Sequence, residues 1–197
     1  WKFFTQVLVY AILNCKKYNS KLHILGLVSD GGVHSHIRHL YGLLEMAKRR
    51  DFENVYVHCF LDGRDTPPAS AEKMREKGIG KIASISGRYY AMDRDKRWER
   101  VKKCYDALVN GEGNKATSAT IAIENSYQKE VFDEFVEPTV ICNGETPIAT
   151  IQEHDSVIFF NFRPDRAREI TRTIVDKDFN EFETKKMDTY FVCFTNY

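Results

Sequence analysis

Short apolar runs alternate along the chain with segments whose apolar residues recur at helical spacing. The runs are continuous and rich in β-branched and aromatic residues, which is typical of strands buried on both faces of a sheet. The predicted strands are Leu22–Val28, Val55–Leu61, Ile79–Ile85, Val157–Phe160 and Thr189–Thr195. Because helical segments separate these strands, the pattern predicts an α/β fold: a mainly parallel sheet with helices on both faces, in three layers.

Several helical segments carry a signal for where they begin. Three are predicted to start at a side-chain cap: Ser35 before Ile37–Leu44, Asp95 before Trp98–Leu108, and Asp165 before Ala167–Ile174. Further helices are predicted over residues 4–18, 71–77 and 119–129, with a break at Gly111–Asn114. Residues 131–152 are predicted to form loops and a small extra β element. We find no repeat and no shift in composition, so we expect one domain over residues 1–197.

Composition narrows the class of protein. The net charge of the 197 residues is only +1, whereas nucleic-acid-binding proteins usually carry a basic excess, so we expect no nucleic-acid partner. No apolar run is long enough to span a bilayer, and we expect no membrane partner. The cysteines are scattered without a Cys-x-x-Cys pair, which favours free thiols in a reducing compartment such as the cytoplasm. They are Cys15, Cys59, Cys104, Cys142 and Cys193.

The chain begins with Trp1-Lys2-Phe3-Phe4, which contains neither an initiator methionine nor a signal-peptide pattern. We therefore expect the sequence to be a fragment of a larger protein.

Charged side chains follow four of the predicted strands, in the turns Ser29–His34, Asp62–Asp65, Gly87–Arg94 and Asn161–Arg166. The carboxyl ends of parallel strands meet at one edge of the sheet, which is where open α/β sheets bind ligands. Five arginines and one histidine are thereby predicted to converge. They are Arg64, Arg88, Arg94, Arg163, Arg166 and His34.

These residue types fit a small anionic ligand. A guanidinium group is planar and always charged, so it can hold a phosphate or carboxylate group with two parallel hydrogen bonds. The alternative is that the arginines are solvated or form structural salt bridges with Asp62, Asp93 and Asp165. Asp65 is predicted either to hold or deprotonate a substrate hydroxyl or to brace the turn before Pro67. His34 is predicted either to contact the ligand or to bond the backbone of its turn.

Other histidines are given plainer roles. Asp30 and His34 raise the option of a metal site, but no third ligand and no zinc-type spacing accompany them, so no metal ligand is assigned in this chain. His36 and His39 are predicted to be helix residues without a role, and His23 and His58 to pack in the core.

The chain also has no P-loop, no Gly-x-Ser-x-Gly motif and no evident activated nucleophile. This pattern predicts a protein that holds a substrate and lacks its own means of breaking a covalent bond.

Four long motifs, in order, resemble the cofactor-independent phosphoglycerate mutases. The motifs are Gly26–His36 (GLVSDGGVHSH), Phe60–Asp65 (FLDGRD), Ser86–Asp95 (SGRYYAMDRD) and Phe160–Arg166 (FNFRPDR). The resemblance runs nearly from end to end, although Ser70–Lys77 appears shorter than the corresponding helix of the family. Taken together, four such motifs are far more specific than a single glycine pattern.

The resemblance implies a function for the chain. In this family an inserted transferase domain grips the substrate, and a phosphatase-like domain carries a transiently phosphorylated serine and two metal ions, usually manganese. The present chain resembles the transferase domain alone, so the two metal ions and the partner phosphatase domain are expected outside it. The implied reaction interconverts 3-phosphoglycerate and 2-phosphoglycerate in glycolysis and gluconeogenesis, and the isolated chain is expected to be inactive.

The resemblance also assigns residues. The implied substrate contacts are His34, Arg64, Asp65, Arg88, Arg94, Arg163 and Arg166, with Asp65 near the glycerate hydroxyls as an acid or base. Two other hypotheses are kept beside this one: a non-catalytic module that senses a phosphorylated metabolite, and a metal hydrolase that uses Asp30 and His34.

Overall fold

One eight-stranded sheet organises the residues that the computed structural model describes, which are 2–67 and 81–197. The strands are β1 (Leu22–Val28), β2 (Val55–Leu61), β3 (Lys81–Gly87), β4 (Asn114–Ala116), β5 (Thr139–Asn143), β6 (Thr146–Pro147), β7 (Ser156–Phe159) and β8 (Tyr190–Cys193). Their order across the sheet is β4-β5-β3-β2-β1-β7-β8, and β6 pairs with β5 alone.

The central part of this sheet is parallel, as predicted. β3, β2, β1, β7 and β8 run in the same direction, whereas β5 is antiparallel to β3 and pairs in parallel with the short strand β4. β5 and β6 form the extra β element that was predicted within residues 131–152. β1, β2 and β7 are buried along almost their whole length because helices cover both faces, which explains their continuous apolar sequences.

Six α-helices accompany the sheet in the described residues. They are α1 (Lys2–Tyr18), α2 (Ile37–Lys48), α3 (Arg88–Ala91), α4 (Trp98–Tyr105), α5 (Ala119–Tyr127) and α6 (Arg168–Val175). A π-helical turn over Asp106–Asn110 continues α4, and a 3-10 turn covers Asp133–Phe135. The predicted helix over 71–77 lies outside the described residues, as do the first two residues of the predicted strand Ile79–Ile85.

Two apolar clusters lie on opposite faces of the sheet and give the three layers that the sequence predicts. On one face, Ile12 of α1, Leu44 of α2 and Ile123 of α5 belong to one cluster with Ile24 and other strand residues. On the other face, α4 and α6 pack against strand side chains such as Phe159. Alternate residues of a buried strand point to opposite faces, so each central strand contributes to both clusters.

All three predicted helix caps are wrong, and each predicted residue has another partner. The buried Ser35 hydroxyl donates to the carbonyl of Leu27. The cap of helix α2 is the next residue, His36, whose Nδ1 accepts from the amide of Arg38 at 3.2 Å. The buried carboxylate of Asp93, rather than Asp95, accepts from the amide of Arg97 before α4. Helix α6 begins after Ala167 without a side-chain cap, because Asp165 is engaged by arginines.

The predicted break at Gly111–Asn114 ends the helical segment at Gly111, whose φ is +69°, but it also leads directly into strand β4. This strand is only three residues long and polar, so it carries no apolar pattern.

The five cysteines are free thiols, as predicted, and four of them are buried. Within the described residues, no helix combines the length and apolarity that a membrane crossing requires.

Candidate functional site

The four predicted turns lie at one edge of the sheet. Pairing in register aligns Val28 with Leu61, Leu61 with Gly87, and Leu25 with Phe159, so the carboxyl ends of β1, β2, β3 and β7 lie beside one another. The turn after each of these strands therefore opens onto the same surface. Residues that are far apart in the sequence meet there because of the parallel strand pairing.

Arg88 is the buried centre of this edge. It begins the short helix α3 directly after β3 and is 4% exposed. Its Nη1 donates to Asp62 Oδ1 at 2.8 Å and to Asp65 Oδ2 at 2.6 Å. Burial opposes a charged guanidinium, but the two carboxylates outweigh this effect and raise the pKa of Arg88. Arg88 therefore stays charged and fixes the carboxylate of Asp65.

Asp165 gathers a second group of predicted residues. Its carboxylate accepts from Arg94 Nη1 at 2.9 Å and from Arg163 Nη2 at 3.2 Å, and it lies 3.7 Å from His34 Nδ1. Burial raises the pKa of Asp165, but its arginine partners outweigh burial and lower it. Arg94 and Arg163 are each about half exposed, with relative exposures of 46%, so they remain accessible to a ligand.

Arg166 is held by the chain and lacks an acidic partner. Its Nη1 donates to the carbonyl of Met92 at 3.1 Å, and within the described residues it forms no salt bridge. Its pKa is lowered by burial and then by the positive charges of Arg94, Arg88 and Arg64. Arg94, Arg88 and Arg64 thus lie close enough to Arg166 for their charges to repel it, and an anion bound beside Arg166 would relieve that repulsion.

Arg64 is the most exposed of the five arginines at this edge. Its side chain is 57% exposed, and its Nη1 lies 3.5 Å from Glu134 Oε1, beside the 3-10 turn. Gly87 lets this turn approach β3, because a Cβ atom at that position would lie 2.2 Å from the carbonyl oxygen of Glu134. Arg64 belongs to the edge, but the structure fixes its side chain less firmly than that of Arg88.

His34 is buried at the edge, and it joins two of the turns through its backbone. Its carbonyl accepts from the amides of Phe162 and Arg163 at 2.8 and 3.3 Å. The ring is 3% exposed, and Nδ1 makes no hydrogen bond to any residue between 2–67 or 81–197. Burial and the charge of Arg88 lower the pKa of His34 to about 4. The ring is therefore neutral at physiological pH and offers a buried polar atom to a ligand.

Three residues that support the site were missed or underrated by sequence reasoning. Asp62 entered only as a possible salt-bridge partner, and Ser29 had no role, yet the Ser29 hydroxyl donates to Asp62 Oδ2 at 2.5 Å. Asn161 is fully buried, and its Oδ1 accepts from the amide of Leu27 at 2.9 Å, which ties the turn after β7 to β1. Polar residues directly after a buried strand are the only signal that could have indicated them.

The remaining histidines occupy other parts of the fold. His23 and His58 are fully buried in β1 and β2, which confirms their prediction as core residues. His36 precedes α2 as its cap, so it is not a helix residue, whereas His39 does lie in α2. His39 contacts the ring of Phe162 edge-on, with centroids 5.8 Å apart.

The arginine edge is a poor environment for a metal ion. The nearest charges to His34 include Arg88 and Arg163, and Asp30 is exposed. Among residues 2–67 and 81–197, the one group of three potential ligands is Glu153, His154 and Asp188. Glu153 and His154 directly precede β7, at the opposite edge of the sheet. The environment of His34 thus gives no support to a metal hydrolase that uses Asp30 and His34.

The fold and the residues at its edge together define an α/β protein with an arginine-rich, partly buried candidate site at the carboxyl edge of a parallel sheet. Residues 2–197 match the family described as BPG-independent PGAM N-terminus (iPGM_N). The chain belongs to this family of 2,3-bisphosphoglycerate-independent phosphoglycerate mutases, in the part assigned to their N-terminus.

Individual relatives agree with this assignment. The 2,3-bisphosphoglycerate-independent phosphoglycerate mutase of Acetivibrio thermocellus is 60% identical over 194 residues, which cover 93% of this chain and 38% of that protein. Its counterpart in Moorella thermoacetica is 55% identical over 205 residues, covering 99% and 40%. A crystal structure of Leishmania mexicana phosphoglycerate mutase at low cobalt concentration has a TM-score of 0.79 and 31% identity, covering 95% of this chain and 40% of that one. The chain thus spans about 40% of the length of these relatives.

Proposed function

We propose that this chain is the substrate-gripping part of an enzyme that interconverts 3-phosphoglycerate and 2-phosphoglycerate. The observation that carries the proposal is the meeting of Arg64, Arg88, Arg94 and Arg166 at one sheet edge, where Arg166 has no acidic partner among the described residues. Phosphoglycerate carries a phosphate and a carboxylate group on three carbons. Such a ligand supplies the negative charge that this edge lacks.

The arginines differ in how free they are to bind. Arg166 is held in place by a neutral carbonyl, so its remaining donors can be used without breaking an ion pair. Arg94 and Arg163 share Asp165, and both are half exposed, so they can turn toward a ligand at modest cost. Arg88 Nη1 donates to two carboxylates, which fixes its positive charge in place and leaves Nε and Nη2 as its remaining donors.

His34 and Asp65 supply the uncharged and the acidic contacts. A neutral imidazole can donate one hydrogen bond to an anion without adding a charge, and the buried Nδ1 of His34 has no other hydrogen bond among the described residues. Asp65 is oriented by Arg88 and stands at the edge where the glycerate hydroxyls would lie. We assign Asp65 the role of accepting a proton from the hydroxyl that receives the phosphoryl group, and of returning it to the one that loses it.

The other half of the reaction is assigned to the part of the enzyme beyond this chain. There we expect a phosphatase-like domain whose serine accepts the phosphoryl group, and this domain is the partner that closes over the arginine edge. Two divalent metal ions such as manganese would neutralise the transferred phosphoryl group in that domain. The present chain holds glycerate while the serine carries the phosphoryl group, so that the intermediate does not escape as free glycerate. Free buried thiols fit a cytoplasmic enzyme.

The decisive experiment compares arginine variants of the full-length protein that contains this chain. Arg166→Met keeps an unbranched stem and removes the charge, and we expect kcat/KM for 3-phosphoglycerate to fall at least about tenfold, since a charge-assisted hydrogen bond contributes about 1.5–3 kcal/mol. Arg49→Met is the matched control, because Arg49 is 74% exposed at the end of α2 and pairs only with Glu45 among the described residues. Its kinetics should stay within twofold of the wild type.

Three results would contradict the proposal. One is a full-length wild-type protein without mutase turnover that nevertheless binds phosphoglycerate, which would favour the metabolite-sensing module. Another is calorimetry showing no preference for phosphoglycerates over other sugar phosphates. The third is an Arg166→Met variant that is as active as Arg49→Met.

A further inference from the structure

A single buried carboxylate connects three of the four turns of the site. Asp62, the first residue after β2, is 2% exposed. Its Oδ2 accepts from the Ser29 hydroxyl in the turn after β1 at 2.5 Å. Its Oδ1 accepts from Arg88 Nη1, after β3, at 2.8 Å. The same oxygen accepts from the amides of Arg64 and Asp65, in its own turn, at 3.2 and 2.9 Å.

The charge of Asp62 is retained despite its burial. Burial alone would raise the pKa of Asp62, but the hydrogen bonds from Ser29, the Asp65 amide and Arg88 outweigh it, so the pKa is lowered. Asp62 is 2% exposed and is already surrounded by four donors of the protein, so it is not placed to contact a ligand directly. The role of Asp62 is therefore exerted through its partners.

Those partners include the groups that face the ligand. Asp62 fixes the amides of Arg64 and Asp65, and Arg88, which it holds, in turn fixes the carboxylate of Asp65 at 2.6 Å. Gly31 extends the network, because its amide donates to Ser29 Oγ at 3.0 Å and its Cα lies against the Asp65 backbone. The positions of an anion-binding arginine and of the acidic group thus both depend on one carboxylate that the ligand does not touch.

We infer that Asp62 is a positioning residue for the mutase reaction, setting the distance between the guanidinium of Arg88 and the carboxylate of Asp65. This inference rests on the proposed function. It makes a distinct prediction: disturbing Asp62 changes substrate affinity and the pH profile even when the protein remains folded. A purely structural carboxylate would change stability alone.

The chain provides a matched control at the other edge of the sheet. Asp155 is 1% exposed and precedes β7. It likewise accepts several hydrogen bonds, from the amides of Lys21 and Gln152 at 2.8 Å each and from His23 Nε2 at 3.0 Å. Asp155 contacts none of the site residues. Asp62→Asn and Asp155→Asn therefore make the same chemical change in equally buried networks at opposite ends of the strands.

The test measures KM, kcat and the pH profile for 3-phosphoglycerate in the full-length protein, together with thermal unfolding. For Asp62→Asn we expect KM to rise at least tenfold and the acidic limb of the kcat profile to move. For Asp155→Asn we expect a lower unfolding temperature, with KM within twofold of the wild type. If Asp62→Asn changes KM no more than Asp155→Asn does, the inference is wrong.

A second variant, Ser29→Ala, and the turnover of the wild-type protein complete the test. If Asp62→Asn does not fold, Ser29→Ala replaces it, because this variant frees one oxygen of Asp62 and leaves the charge in place. A threefold rise in KM would then support the inference, and unchanged KM and kcat would overturn it. A wild-type protein without mutase turnover would overturn the proposed function instead, so the two failures are distinguishable.

Discussion

Two buried polar networks lie at different places in the same sheet, and they differ in how completely their hydrogen bonds are satisfied. In the interior, Asp155, His23, His58 and Ser84 form a chain across four neighbouring strands or their ends, with contacts of 3.0, 2.8 and 2.7 Å. At the carboxyl edge, arginines and carboxylates are only partly paired. The interior network leaves nothing for a ligand to bind, whereas the edge network does.

The interior network fixes the proton positions of both histidines. The pKa of Asp155 is lowered: burial opposes this, but hydrogen bonds from His23 and backbone amides outweigh burial, so the carboxylate only accepts. His23 must then donate from Nε2 and accept at Nδ1 from His58 Nε2, and His58 Nδ1 accepts from the hydroxyl of Ser84. Both rings are neutral and all four ring nitrogens are bonded.

The two networks differ in whether their buried polar groups have all their hydrogen-bond partners. His34 is as well buried as a core residue, yet its Nδ1 has no hydrogen bond among the described residues, and Arg166 has no acidic partner there. Burial by itself therefore does not identify a site residue. An unsatisfied buried group beside an arginine without a salt bridge is the better indicator of a candidate site, because a bound anion could compensate both.

The largest effect expected concerns the interior network. His58→Ala should lower the free energy of unfolding by about 3 kcal/mol, because it opens a cavity and removes the hydrogen-bond partner of His23 Nδ1 and of the Ser84 hydroxyl. Denaturant unfolding of the full-length protein would measure this loss. His154→Asn is the control, since His154 is 43% exposed and asparagine tolerates its left-handed backbone, with φ of +65°. A loss for His58→Ala as small as the control's would contradict the structural role of the network.

Acid should weaken the interior before it affects the charge state of His34. Burial lowers the pKa of both His23 and His58 below the ordinary value of 6.5. Their contribution to stability is therefore fully present above pH 6.5 and is lost as the pH falls toward their folded-state values. Two such groups reduce stability by up to about 2 kcal/mol between pH 6.5 and 5.5, and His34, whose pKa is lowered to about 4, adds to this loss by the same linkage.

Urea unfolding at pH 7.5, 6.5 and 5.5 would measure this slope. Ring signals in nuclear magnetic resonance should show His34 neutral until about pH 4. Two results would contradict this prediction. One is a free energy of unfolding that does not change between pH 7.5 and 5.5, and the other is a His34 ring that becomes protonated near pH 6.5.

The smallest stability effect is expected at the carboxyl edge. Asp165→Asn removes the charge shared by Arg94 and Arg163, but these ion pairs are partly exposed, so the unfolding free energy should change by less than about 1 kcal/mol. The affinity for phosphoglycerate should nevertheless change severalfold, because both arginines lose their orientation. Calorimetric titration beside urea unfolding separates the two quantities. A large loss of stability with unchanged affinity would show that Asp165 is structural.

Local rules failed where tertiary partners competed for the same side chain. Ser35, Asp95 and Asp165 all have residue types that cap helices, yet Ser35 bonds a strand carbonyl and Asp165 bonds two arginines. A cap contributes only about 1 kcal/mol, so a buried hydrogen bond or an ion pair readily displaces it. Strand β4 escaped prediction for a related reason, since it is held by pairing with β5 rather than by an apolar pattern.

The sequence by itself determined the strands, their parallel alternation with helices and the four turns, because a strand buried on both faces must be apolar and must end where polar residues begin. It also predicted which charged residues would meet at the carboxyl edge of the sheet. Only the tertiary structure decided which of these polar side chains have all their hydrogen-bond partners. Asp62 accepts hydrogen bonds that connect three turns, and His34 Nδ1 has no hydrogen bond within residues 2–67 and 81–197. Hydrogen-bond partners depend on which strands lie side by side, and that order is a property of the folded sheet rather than of any local stretch of chain.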